Sequence, residues 1–122
     1  MQITILLDPA EQACCGGMLS LGQRVEWMLA YATRGGQPYY MRDSHEQFSY
    51  HGAKTRRVLG SVVAIRELVI HPSRADGTPV HRLWRSLSAL PAGVDYDSDG
   101  IEVDLQIEHG QQLPELFSWP RG

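Results

Sequence analysis

Apolar and polar residues alternate along much of the chain at the two-residue period of a strand with one buried face. Ile3, Ile5 and Leu7 recur at that period, which predicts a strand over residues 2–7, stopped by Asp8-Pro9. After Gly22, Val25, Trp27 and Leu29 repeat the pattern and predict a second strand with Trp27 in the core. Residues 32–50 hold Gly35-Gly36 and Pro38 with little periodicity, so they read as one long connection with a helical turn near 44–48. From Arg57 to Ile70 the chain is rich in β-branched residues, interrupted at Gly60 and Ala64. One strongly bent strand, or two strands meeting at a bulge near Gly60, fits that run.

Residues 71–79 are a turn by composition. In the segment that follows, Val80, Arg82 and Trp84 share one face and His81, Leu83 and Arg85 the other, so neither face is marked for burial. Ile101, Val103, Leu105 and Ile107 then alternate without error against Glu102, Asp104, Gln106 and Glu108, predicting a strand with one buried and one acidic face. The tail from Leu113 is apolar but broken by Pro114 and Pro120, and reads as an irregular segment packed back on the fold. Five to seven short strands without repeats imply an all-β domain. The expected form is a small, partly open antiparallel barrel or a sandwich with one long connection.

With 122 residues, 43% apolar and 20% charged, the chain is the size of one domain able to bury a core without staples. No apolar run approaches the length of a membrane span, and the stretch before Asp8 is too short for a signal peptide, so a cytoplasmic setting is expected. The net charge of −3 argues against strong non-specific attraction to nucleic acid. It hides a partition, however. Residues 51–85 carry seven basic against two acidic side chains, and residues 95–122 carry seven acidic against one basic. Either the surface is bipolar or the two segments pair as neighbouring strands and neutralise one another.

Cys14-Cys15-Gly16, Leu21-Gly22-x-x-Val25-x-Trp27, His51-Gly52 and Gly60-x-Val62-x-Ala64-Ile65 follow in that order. Over residues 3–66 this pattern resembles an uncharacterised family of small bacterial proteins known only as a domain of unknown function, a resemblance that implies no activity. The Gly-x-x-Val-x-Trp and Gly-x-Val-x-x-Ile strands are also generically similar to SH3-like small barrels, where glycines permit the bends that close the sheet.

Several constellations could carry chemistry. Cys14 and Cys15 could form a zinc site with two of His45, His51 and His71, but adjacent cysteines lack the spacing that lets both sulfurs face one metal. A redox thiol and plain structural thiols are the other readings. Asp95-x-Asp97-x-Asp99-Gly100 copies half of a calcium loop. The other half fails, since Glu102 and Gln106 stand where an apolar residue and a bidentate Glu belong, and a polar hairpin turn accounts for it. His45 near Asp43 could act as an acid or base, yet no nucleophile or metalloprotease motif accompanies it, and no cofactor is expected.

Tyr39, Tyr40, Phe48 and Tyr50 lie close in sequence to Lys54, Arg56 and Arg57. Such a set can anchor a protein partner or stack and clamp a single-stranded nucleic acid. The expectation is a non-enzymatic binding or regulatory module whose partner is another protein. Tyr39, Tyr40, Tyr50, Arg56 and Arg57 would be its binding residues. RNA or single-stranded DNA binding on 51–85 is the first alternative, and a metal or thiol protein using Cys14, Cys15 and His51 is the second.

Overall fold

A computed structural model describes residues 1–15, 17–44, 46–71, 76–77, 81–91 and 100–118. The elements in chain order are β1 (Gln2–Leu7), α1 (Pro9–Cys15), β2 (Leu19–Ser20), β3 (Arg24–Arg34), β4 (Gln37–Arg42), α2 (Gln47–Tyr50), β5 (Arg56–His71), β6 (His81–Leu87), β7 (Ala89–Leu90), β8 (Gly100–Ile107) and β9 (Leu116–Phe117). Strands dominate the described residues, and helix is confined there to the short α1 and α2. Five strands close into a barrel in the order β5-β8-β1-β4-β3 and back to β5, with β6 added beside β5 and β9 beside β3.

The alternating strands fold as their pattern predicts. Ile3, Ile5 and Leu7 of β1 and Ile101, Val103, Leu105 and Ile107 of β8 point into one core, with Val25 and Leu29 of β3 and Val58, Val62 and Ile65 of β5. Antiparallel pairing was expected throughout, but β1 and β4 run parallel, Ile5 opposite Tyr40. A parallel pair needs a long crossover, which α1, β2 and β3 supply. Trp27, expected in the core, is half-buried at its edge.

The long connection read over 32–50 is corrected. Its first part is a hairpin, β3 and β4 joined by Gly35-Gly36 with φ of 59° and 81°, the left-handed pair that a two-residue turn demands. Pro38 hid β4 in the sequence. It stands before the β1 pairing begins, so β4 there has a neighbour on one side only, a position proline tolerates. The true connection, 43–55, folds over the outer face of the hairpin. There Phe48 and Ala53 close a second small core on Ala30, Ala32 and Met41.

β5 is a single strand, and its register on β8 shifts between Val62 and Ala64, so Val63 is pushed outward while Ile65 returns to the core. Gly60 allows the sheet to close tightly, because a Cβ there would lie 2.8 Å from the carbonyl oxygen of Gln106. Asp8-Pro9 ends β1 as read and also starts α1. Pro9 takes the first helical position and the Asp8 carboxylate accepts from the Ala10 N–H at 2.9 Å.

Candidate functional site

The opposite charges seen in sequence meet in the sheet. β5 pairs with β8, and Arg66 reaches across to donate to both Glu102 and Asp104. Asp104 also accepts from the Thr4 hydroxyl at 2.7 Å. The hydrogen bonds from Arg66, then that from Thr4, hold the Asp104 carboxyl below the usual aspartate range, against the opposing effect of burial, and the same pairs hold Arg66 charged. Arg24 pairs with Glu108, Lys54 with Glu115, Arg57 with Glu26, and Arg85 with the buried Glu67. Among the described residues, Arg34, Arg56 and Arg82 have no acidic partner.

The tyrosines picked from the sequence are not brought together. Tyr40 stacks on Tyr31 across the hairpin, ring centroids 4.3 Å apart, and burial, with Tyr31 second, raises its hydroxyl's pKa. Tyr39 packs against the second core. Tyr50 on α2 is 87% exposed and meets His51 edge-on. Arg56 and Arg57 are exposed at the start of β5, opposite Leu29 and Met28. Cys14 and Cys15 are the last two residues of α1, and His51 follows α2. The sequence 95–99 and His45 lie outside the described residues. Asp43 has another role, accepting from the Phe48 N–H and the Ser49 hydroxyl at the start of α2.

Two features were not legible beforehand. The first is a polar network under α1. Arg42 lies over the Trp27 ring, 5.0 Å from its centroid, and donates to Glu11 at 2.8 Å and Gln12 at 3.0 Å. The fully buried Gln12 in turn donates to the Gly17 carbonyl. Beside this network a cleft of about 270 Å³ has a floor of Leu6, Met41 and Phe48 and a rim including Asp8, Glu11 and Arg34. Asp8 is committed to capping and Glu11 to Arg42, so the uncommitted charge is Arg34.

The second feature is the β5–β6 arm. β5 runs three residues past Leu68, its last β8 partner, and β6 follows it to His71. Among the described strands β6 stands at one end of the sheet, and Arg82, Leu83, Trp84, Arg85 and Ser86 are all exposed, Leu83 by 57% and Trp84 by 50%. The sequence marked neither face of this segment because neither is buried.

Fold and surface together define a small closed β-barrel with a two-stranded arm at one sheet edge. The chain belongs to DUF6578, a family of unknown function whose model matches residues 1–95. The match spans the barrel strands up to β5 together with the arm, and stops before β8. Comparison with curated proteins and with solved structures returned no match. No described helix is long and apolar enough to cross a membrane.

Proposed function

We propose that this chain is a non-enzymatic, cytoplasmic protein-binding module that engages its partner through the exposed edge of β6. The observation that carries this reading is that end strand itself, with Leu83 and Trp84 exposed on its two faces. An exposed edge offers unpaired backbone donors and acceptors to another chain, and native proteins cover or blunt such edges unless they use them. Tryptophan beside arginine is the composition of interface hot spots. Of the surface expected from the sequence, Tyr50, Arg56 and Arg57 remain accessible, Arg57 paired with Glu26, whereas Tyr39 and Tyr40 serve packing.

A second reading, single-stranded nucleic acid, draws on Trp84 standing between Arg82 and Arg85, since a base can stack on the indole while guanidinium groups take the phosphates. The ion pairs of Arg57, Arg66, Arg85 and Lys54 favour a protein, because cations already neutralised within the fold release few counterions from a phosphate backbone.

The test is photo-cross-linking in cells with Trp84→benzoylphenylalanine, using Gln112→benzoylphenylalanine as the exposed control. The expected result is protein adducts at position 84 that survive nuclease and are missing at position 112. Nuclease-sensitive adducts at position 84, equal labelling of both positions, or no adduct at all would overturn the proposal.

A further inference from the structure

Resting on the protein-binding reading, we infer that the β6 edge takes up an extended peptide segment as an added strand, and that this segment carries an acidic–apolar–apolar–acidic run. Along β6, Arg82, Leu83, Trp84 and Arg85 are consecutive, so Arg82 and Trp84 share one face and Leu83 and Arg85 the other. A strand laid beside them places one residue directly opposite each, within side-chain contact on the same face. Complementarity then asks for acids opposite the two arginines and apolar side chains opposite Leu83 and Trp84. The pattern reads the same in both directions, so it holds for parallel and antiparallel addition.

Among the described residues Arg82 has no acidic partner. Arg85 holds Glu67 on the β5 side and remains exposed on the other. A guanidinium with two carboxylate neighbours is already used in this sheet, where Arg66 donates to Glu102 and Asp104 across strands. The neighbouring positions on β5, Leu68 opposite Trp84 and Val69 opposite Leu83, continue the apolar surface on both faces of the arm.

A second copy of this chain does not supply those acids. Antiparallel pairing of two β6 edges keeps like faces together, so centring on Leu83 sets Arg82 against Trp84, centring on Trp84 sets Leu83 against Arg85, and centring on Arg82 sets the two arginines against each other. β6 itself carries no acid, so no such register satisfies the arginines, and the edge favours an acidic segment over self-association.

The probes are three ten-residue peptides with Thr/Ser flanks: one with a Glu-Val-Ile-Glu core, one with a Lys-Val-Ile-Lys core, and the acidic one N-methylated at alternate amides of the core. Backbone amide shifts of β6 report binding. The acidic peptide is expected to bind with shifts concentrated on residues 82–86, and the other two to bind at least about tenfold more weakly. Arg82→Glu, an exposed position whose change leaves Glu67 paired, is expected to weaken the acidic peptide about tenfold and strengthen the lysine peptide, as one favourable cross-strand pair becomes repulsive. Equal binding of the lysine or the N-methylated peptide would overturn the inference, as would a dimer in sedimentation that Trp84→Arg dissolves. Protein adducts at position 84 without acidic-peptide binding would overturn this inference while leaving the protein-binding reading standing.

Discussion

Arg42 lies over Trp27, its guanidinium carbon 5.0 Å from the ring centroid, while its nitrogens hold Glu11 and Gln12 on α1. One side chain thus fastens a seven-residue helix, too short to persist alone, to the wall of the barrel. Both Arg42 and Glu11 are largely buried, so removing either strands a charge. Arg42→Ala is expected to cost about 3–5 kcal/mol in urea unfolding, and Arg42→Lys about 1–3 kcal/mol, because an ammonium cannot fork to two acceptors and stack at once. Full stability of the lysine variant would show that charge alone matters there.

At Gly60 β5 approaches the β8 backbone closely. Gly60→Ala sets a Cβ against the backbone oxygen of Gln106, which cannot swing aside as a side chain can. The expected loss is about 1–3 kcal/mol. Gly17→Ala, with nothing within 4 Å of the added carbon, serves as the control and is expected to change stability by under about 0.5 kcal/mol. Equal effects in chemical denaturation would rule out close approach as the reason for glycine at position 60.

Acid should loosen the β5–β8 seam. The Asp104 carboxyl is held below its ordinary range by Arg66 and Thr4, so between the unfolded and folded values the unfolded chain binds the extra proton. The stabilisation is therefore complete above the ordinary aspartate value of about 4 and is lost as pH falls through the lower folded one. The stability difference between the native protein and Asp104→Asn is expected to be largest near neutrality and to shrink on going below about pH 4. A difference that stays constant across that range would exclude this linkage.

What the sequence disclosed follows from where water lies. The apolar face of β8 was legible to the residue because it alternates into the core, whereas its acidic face is largely covered, Asp104 being buried under Arg66 and Thr4; the cancellation of the 51–85 and 95–122 charges was among the alternatives because opposite charges are a sheet's ordinary cross-strand currency. β4 was lost because Pro38 masks a strand and because both its faces are covered, by the barrel core at Tyr40 and the second core at Met41. α1 is under two full turns, too short for a helical period to show. The expected binding residues are dispersed for a related reason. Clustered tyrosines look like an interface in one dimension, yet adjacent strand residues face opposite ways, sending Tyr39 and Tyr40 to separate cores.

Asp43 ends β4 and organises the connection that follows. Its N–H donates to the Met28 carbonyl at 2.8 Å, and its carboxylate accepts from the buried Phe48 N–H at 2.9 Å and the Ser49 hydroxyl at 2.7 Å. α2 has no side-chain cap of its own at Glu46, so Asp43 supplies the acceptor for its first turn from outside the helix. Asp43→Ala leaves the Phe48 N–H buried without that acceptor, at an expected cost of about 1–3 kcal/mol. The loss should be local. Phe48 and Ala53 cover Ala30, Ala32 and Met41 only while this turn is formed, so hydrogen exchange at residues 48–53 is expected to accelerate well beyond the global change, with β8 amides following global stability alone. Asp43→Asn, which keeps one carbonyl acceptor for Phe48, is expected to restore most of the protection. Uniform acceleration across the barrel in Asp43→Ala would mean that the turn and the core unfold as one unit, and would remove the separate second core from the picture.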